Sequence, residues 1–419
     1  MSKQDSQKRF FGLDVHKAYI MVAAVNADQE VVLKPRRVTF ARLENWIDKI
    51  LRPSDEVVLE ATTNAWHVHD LLAPHVAQVI VAHPYHVKLI AAAAVKTDKR
   101  DALALAKLLA AHLIPPVWVP PQHVRDLRAI IAHRERLVSQ RTAAKNRMHS
   151  ALHRHNLTPP QGDTIARDPF APNHQAWWDD LSLPASEKLR LKQDRSIINY
   201  LSPLITETED ELTRLATDPH WAPLLPFLLQ ITGVGLVSAM TILSAIGDIS
   251  RFPSAKKLVG YAGLGGRVHS SGGKHHTGSI TKQGRTELRA TSIEIAWTAV
   301  KFNPYWKEEF ERLKARIGDK KAIVAIARKI LVSIWHILTH RQADSHAIDD
   351  KVAYKLLLFA WQLGTQHRPD TYSAPLLTRF FLTQLDLGHD LETISPGGVK
   401  RLIPPASDLE ALPPPFADR

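Results

Sequence analysis

The chain has 419 residues, with 54 lysines and arginines against 42 aspartates and glutamates, giving a net charge of +12 and a pI of about 9.7. With 45% apolar and 23% charged residues it reads as a globular protein, and the basic excess favours a polyanionic partner, nucleic acid first. The absence of cysteine excludes disulfide scaffolds, zinc fingers, iron–sulfur clusters and thiol catalysis.

The first residues lack the apolar core and cleavage site of a secretory signal. Apolar runs such as Leu89–Val95 fall far short of the roughly 20 residues of a membrane span. A cytoplasmic, nucleoid-associated protein without a membrane partner is expected.

Residues 9–38 read as strands: Phe10–Leu13, Tyr19–Val25, a turn at Asn26–Gln29, then Val31–Leu33. Phe40–Leu51 has helical spacing, with Leu43, Trp46, Ile47 and Ile50 on one face. Glu56–Glu60 and Gln78–Ala82 read as short buried strands, and Trp66–Leu72 and Tyr85–Ala94 as helices. Three early strands followed by alternating helices and strands predict an α/β domain with a mixed sheet over 8–115.

Paired prolines at 115–116 and 120–121 mark a boundary. Gln122–Asn156 contains neither Gly nor Pro and reads as one long helix. It carries Arg125, Arg128, Arg134, Arg136, Arg141, Lys145, Arg147 and Arg154 against only Asp126 and Glu135. A second long helix over Ser186–Thr217 predicts an antiparallel coiled-coil arm at 122–217, interrupted by an unassigned insertion at 159–184. The region 224–340 is expected to be mostly helical, with a tight turn at Gly233-Val234-Gly235 and a glycine-rich basic loop over Tyr261–Gly284. An extension, 345–419, holds helices at Val352–Leu363 and Leu376–Leu387 and a proline-rich tail from Ile403 that reads as disordered. Trp66, Trp118, Trp297 and Trp335 read as core. The fold class is thus α/β plus α.

Four carboxylates stand out. Asp14 and Glu60 end two of the expected strands, while Asp98 and Asp101 share one face at the start of a helix. If the two strands are neighbours, the four offer oxygen donors suited to Mg²⁺, with Mn²⁺ as the alternative. Metals so held serve phosphodiester chemistry. Singly, each has a plainer reading; Asp98, for one, could cap its helix.

The second candidate is the glycine-rich stretch. From Ala255 to Arg289 there are seven Lys or Arg against one acid, Glu287. Glycine amides with Arg267, Lys274, Lys282, Arg285 and Arg289 would hold phosphates. Ser271, before Gly272-Gly273, would be exposed enough to attack phosphorus, although the stretch by itself reads first as a phosphate-binding loop. Gly233 and Gly235 fit a helix-hairpin-helix contact to DNA phosphate, or equally an ordinary tight turn. Arg134, Arg141, Lys145 and Arg147 on the arm would meet nucleic-acid backbones.

Together GLDVHK, the strand ending LEAT, KTDKRDA, the GVG turn and YAGL…SSGGK…GSITKQGRTELR resemble, in order over about 8–340, the DEDD transposases of insertion-sequence family one hundred and ten, in its eleven-eleven branch. The resemblance implies a RuvC-like RNase H fold with Asp14, Glu60, Asp98 and Asp101 as metal ligands. It further implies a coiled-coil arm and a C-terminal transposase domain whose catalytic serine falls on Ser271, with Ser270 as the competing position. It also implies DNA ends and target DNA as substrates, a structured guide RNA, and a dimer or tetramer. Rival readings are a Holliday-junction resolvase using water, a non-catalytic nucleic-acid-binding protein and, last, an actin-like kinase.

Overall fold

A computed structural model describes residues 8–90, 97–158, 168–171, 174–271, 274–395 and 398–416, with side chains at 268–271 and 274–277 excepted. The chain divides into two compact units, 1–121 and 122–419.

The first unit is built on a five-stranded sheet. Strands β1 (Phe10–Val15), β2 (Tyr19–Val25) and β3 (Val31–Thr39) are followed by helix α1 (Leu43–Ile50), strand β4 (Glu56–Glu60), helix α2 (Ala65–Leu72), strand β5 (Gln78–Ala82), and helices α3 (Pro84–Ile90) and α4 (Asp98–Ala110). The sheet order is β3-β2-β1-β4-β5, with β1–β3 antiparallel and β1, β4 and β5 parallel. The β2–β3 turn closes where Asn26 Oδ1 accepts the Glu30 amide at 2.8 Å and Gln29 adopts a φ of +63°.

Alternation along the strands separates two cores. Phe11, Leu13, Val57 and Leu59 face one side, packed with Leu43, Trp46 and Ile47 of α1 and with α2. Phe10, Val25 and Val58 face the other, against Leu105, Ala106 and Leu109 of α4. At the bottom of the sheet Arg9 clamps the fully buried Asp55, its Nε donating to Oδ1 at 2.9 Å.

The second unit opens with helix α5 (Gln122–Arg154), then α6 (Gln175–Asp180) and α7 (Ala185–Leu215). Helices α5 and α7 run antiparallel, as their cross-pairs show: Arg134 with Glu209, Arg147 with Asp194 and Arg154 with Glu187. Within the insertion that the sequence left unassigned, Trp178 of α6 and Leu181 pack on Met148 and Leu191 of the arm. Residues 159–167 and 172–173 of that insertion lie outside the described residues.

Helices α8 (Leu225–Leu229), α9 (Leu236–Ile246) and α10 (Ala255–Tyr261) come next. Strands β6 (Gly266–Ser271) and β7 (Lys274–Ile280) follow, then helices α11 (Thr286–Phe302), α12 (Pro304–Ile317), α13 (Asp319–His340), α14 (Asp349–Gln362), α15 (Gly364–His367) and α16 (Ala374–Leu385). Short strands β8 (Thr393–Ile394) and β9 (Arg401–Leu402) close the series. Helix α13 is long and apolar enough to cross a membrane, but half of its apolar window is buried within the protein and Ala322, Ile326, Ile330 and Ile334 are fully covered.

Three expectations need correcting. The glycine-rich stretch is no open loop: β6 and β7 form an antiparallel hairpin with Ser271 opposite Lys274. Gly272 and Gly273, between the two strands, lie outside the described residues. The proline-rich tail is ordered as far as 416. Prolines donate no hydrogen bond but still accept, and buried Arg379 of α16 takes the Pro404 carbonyl at 2.6 Å and that of Gly388 at 2.7 Å. Tyr372 takes the Pro413 carbonyl at 2.8 Å. Finally, Trp297 is 49% exposed rather than core.

Candidate active site

The acidic corner follows from strand geometry. Pairing Leu13 with Leu59 in parallel register brings Asp14 and Glu60 to neighbouring strand ends, and alternation turns both toward the α4 face. Gly12 lies on that same face, two residues before Asp14. A Cβ there would meet the Ala102 carbonyl at 2.1 Å and the Ala106 amide at 2.5 Å, so α4 rests directly on the bare β1 backbone. This contact brings the start of α4, with Asp98 and Asp101, over the strand ends. Thr97 occupies the N-cap and accepts from the Arg100 amide, so Asp98 is released from capping.

His16 joins the corner. The turn from β1 to β2 is closed by its amide donating to the Tyr19 carbonyl at 2.9 Å, and its ring lies 4.6 Å from that of Tyr19. His16 Nε2 is 3.0 Å from Asp14 Oδ2 and 3.3 Å from Asp98 Oδ2. One donor atom from each of Asp14, His16 and Asp98 falls within 4.8 Å of the others. Tyr19 donates its hydroxyl to Asp98 Oδ2 at 2.7 Å and lies beneath the Arg37 guanidinium at 3.9 Å.

The electrostatics are those of crowded negative charge. Burial raises the Asp14 carboxyl above its usual range, with Asp98 and Asp101 adding to the rise and His16 opposing it. The Tyr19 hydrogen bond lowers the Asp98 carboxyl.

These residues fit a divalent cation. His16 Nε2 is buried between the carboxylates of Asp14 and Asp98. Two carboxylate oxygens and an imidazole nitrogen thus converge, a donor set that a divalent metal would complete. Reading the sequence overlooked His16 and Tyr19 as site residues. The signal was there in Asp14-Val15-His16, where a turn directly after the strand folds the histidine back over its end.

The second candidate region is locked at its base. Gly263 (φ +69°) and Gly284 (φ +124°) let two chain segments cross, and a Cβ at Gly284 would sit 2.1 Å from the Tyr261 carbonyl. Arg289 ties the crossing by donating to the Ala262 carbonyl at 3.1 Å and that of Lys282 at 3.3 Å. Arg285 pairs with Glu287, whereas Arg267 and Lys282 are exposed. By backbone position Ser271 ends β6 and Lys274 begins β7; the side chains of Ser270, Ser271 and Lys274 lie outside the described residues, as do Gly272 and Gly273.

On the arm, Arg134 and Arg147 are held by Glu209 and Asp194, and Lys145 lies 3.5 Å from Asp168; Arg141 is half-buried. Gly233 (φ +94°) is required for packing, since its Cβ would meet the Ile295 carbonyl at 2.7 Å. The Gly235 amide donates to Ser238 Oγ at 2.8 Å. Their turn borders a cleft of about 780 Å³ that Glu135, Glu287 and Glu294 also line. Burial, then Glu287 and Glu294, raise the Glu135 carboxyl. Half-buried Lys355 donates to the Ile231 carbonyl at 2.6 Å, and desolvation of its amine pushes it down to about 7.

A mixed sheet with carboxylates at the ends of adjacent parallel strands, roofed by a helix bearing two more, is consistent with a DEDD nuclease-like domain. Residues 11–157 match the model of a DEDD transposase family, and residues 225–311 that of the transposase IS116/IS110/IS902 family. The transposase for insertion sequence element IS1111A of Coxiella burnetii is 26% identical over 347 residues, 80% of this chain and 90% of its own. The pilin gene-inverting protein of Moraxella bovis is 26% identical over 346 residues, covering 79% and 96%. The transposase for insertion sequence element IS1328 of Yersinia enterocolitica is 26% identical over 293 residues, covering 68% and 82%. The chain belongs to the IS110 family of DEDD transposases and is a DNA transposase/recombinase.

Proposed function

We propose that this transposase performs metal-dependent DNA strand exchange through a covalent serine–DNA intermediate, directed by a structured guide RNA. The observation that carries the metal half is the convergence of Asp14, His16 and Asp98, one donor atom from each, within 4.8 Å. The strand order and the acidic face support a RuvC-like RNase H reading of the first unit. Asp14 and Asp98, with Glu60 and Asp101 alongside, would hold Mg²⁺ or Mn²⁺. When bound, the cation supplies charge stabilisation for a phosphodiester undergoing displacement.

The chain's own groups do the rest. Tyr19 fixes Asp98 by its hydrogen bond, and Gly12 seats α4 so that Asp98 and Asp101 stay over Asp14. Ser271, with Ser270 as its competitor, attacks phosphorus: an Oγ–P bond forms, the P–O3′ bond breaks, and the serine proton ends on the departing 3′ oxygen. Attack by a different 3′ hydroxyl on the phosphoserine reverses the bookkeeping and joins exchanged strands. Arg267, Lys274, Lys282 and Arg285 would face DNA or RNA phosphates, with Arg141 and Lys145 on the arm. Arg289 and Gly233 act mainly by holding the hairpin base and the α9 turn. We assign the arm to 122–217 and the transposase domain to 224–340, and expect self-assembly as a dimer or tetramer.

The test is strand exchange on DNA carrying the element ends, using protein expressed with its native flanks so that its RNA is present. Exchange should require Mg²⁺ or Mn²⁺ and vanish with Asp14→Asn. Exchange that persists in EDTA, or in Asp14→Asn, would overturn the metal assignment.

A further inference from the structure

Beyond the acidic corner and the serine, a groove of about 560 Å³ lies between the base of the β6–β7 hairpin and the first turns of α13. We infer that it is a seat for the phosphodiester backbone of a nucleic acid, with Lys320, Lys321 and Arg328 as its cationic wall. This deepens the transposase reading and rests on it.

Three observations carry the inference. First, Lys321, Val324, Ala325 and Arg328 recur at i, i+3, i+4 and i+7, one stripe of α13 turned to the hairpin, and Lys320 flanks it. Among the described residues no carboxylate lies within ion-pair distance of Lys320, Lys321 or Arg328, and none lines the groove. By contrast the adjacent Lys329 is held by Glu309 at 2.9 Å.

Second, the lysines sit where helix electrostatics oppose them. Lys320 and Lys321 occupy the first turn of α13, whose exposed amides form the positive end of the helix dipole. Asp319, the acid of the same turn, lies 3.6 Å from Lys314, which leaves the charge of Lys320 and Lys321 to the groove mouth, where an anion would be favoured.

Third, the hairpin side of the groove is bare where it need not be. Gly266 and Gly278 are exposed, and neither has a positive φ. A Cβ at Gly266 would have only the Gly278 carbonyl, 3.8 Å away, and one at Gly278 would meet Arg267 Cβ at 3.4 Å, ordinary contact. Neither turn geometry nor packing requires glycine there, unlike Gly263 and Gly284 a few residues off. Without side chains, the strand backbone can approach a sugar–phosphate chain closely. From Gly266 to Ser271 is five residues of strand, roughly 17 Å at about 3.3 Å per residue. A duplex seated in the groove would cover that span in about five base steps of 3.4 Å.

The test uses the full-length protein and two fluorescein-labelled probes of equal length, duplex DNA and single-stranded RNA, with anisotropy read from 50 to 300 mM KCl. For the triple variant Lys320→Gln, Lys321→Gln, Arg328→Gln, the slope of log affinity against log salt should fall by about 2–3 on the probe the groove holds. A fall on DNA alone assigns the groove to the substrate, and a fall on RNA alone assigns it to the guide. Gly278→Leu, which fills the groove without changing charge, should weaken the same probe at least ~10-fold. The charge-matched surface variant Lys49→Gln, Lys307→Gln, Lys400→Gln should leave the slope within one unit of wild type. Unchanged slopes on both probes, or equal falls in both triple variants, would overturn the inference. Strand exchange by the wild-type protein, followed in parallel, separates the cases. Its absence counts against the transposase mechanism, whereas its presence without groove dependence counts against the groove alone.

Discussion

The acidic corner of the first unit and the hairpin of the second show two ways of using glycine around a site. At the corner, Gly12 removes a side chain so that one helix can rest on a strand, and this single contact sets where Asp98 and Asp101 stand relative to Asp14. Every participant is held by sheet register, helix packing or a hydrogen bond. At the hairpin, Gly263 and Gly284 likewise lock a crossing, but Gly266 and Gly278 lock nothing and leave backbone exposed. Rigid placement suits charged groups whose spacing decides whether a cation binds. Bare, exposed backbone beside unpaired cations suits a long, uniform polyanion.

The sharpest way to break this contrast is at the acids themselves. Asp14→Asn should reduce strand exchange by roughly 10³-fold or more, the scale of removing a charge placed at a reacting centre, while the melting temperature stays within a few degrees of wild type. A comparable collapse of the fold would instead make Asp14 structural.

Gly12→Ala tests the seating of α4. Its Cβ would overlap backbone atoms of Ala102 and Ala106, which cannot swing aside as a side chain could. We expect destabilisation of about 3 kcal/mol by denaturant unfolding, with exchange lost by about 100-fold at a temperature where the variant is still folded. The matching change at Gly278, to Ala, should cost under about 0.5 kcal/mol. Similar costs at both positions would erase the distinction between locking and open glycines.

Smaller effects sharpen it. Tyr19→Phe removes the hydrogen bond to Asp98 but leaves the ring, and should weaken Mn²⁺ binding, read by titration calorimetry, by about 10-fold.

Lys355 tests whether the Gly233 turn is a structural element. Its amine sits near 7 in the fold against 10.5 for an exposed lysine. Between those pH values the unfolded chain binds the extra proton, so stability rises with pH across that window. Lys355→Met should flatten the rise between pH 7 and 9.5 in urea unfolding, while leaving the Ile231 carbonyl short of a partner at a cost of about 1–3 kcal/mol. A slope identical to wild type would mean that Lys355 does not set it.

How far the sequence carried depended on how local the cause was. The five strands and the two long arm helices were legible because short apolar runs such as Val57-Val58-Leu59, and a stretch without Gly or Pro such as Gln122–Arg154, are local features of the chain. Asp14, Glu60, Asp98 and Asp101 were legible for the same reason: strand ends and an i, i+3 pair are local facts. His16 and Tyr19 were not, because their roles arise from a turn that folds one strand end over another element. The hairpin was mistaken for a loop because glycines dominate the composition of the stretch and few apolar residues interrupt it. The tail's order depends on Arg379, whose guanidinium reaches Pro404 across 25 positions, and no window of composition contains that bond. The arm's basic surplus was also read without its partners, since Glu209 and Asp194 come from the opposite helix.

One measurement tests the combined mechanism most directly. Protein expressed with its native flanking DNA is mixed with Mg²⁺ and labelled junction DNA, then resolved on a denaturing gel for a covalent protein–DNA adduct. Wild type and Ser270→Ala should give the adduct, and Ser271→Ala and Asp14→Asn should lose it. Cleaved DNA without any adduct, at a rate unchanged by Ser271→Ala, would contradict serine catalysis and leave water as the nucleophile at the acidic corner.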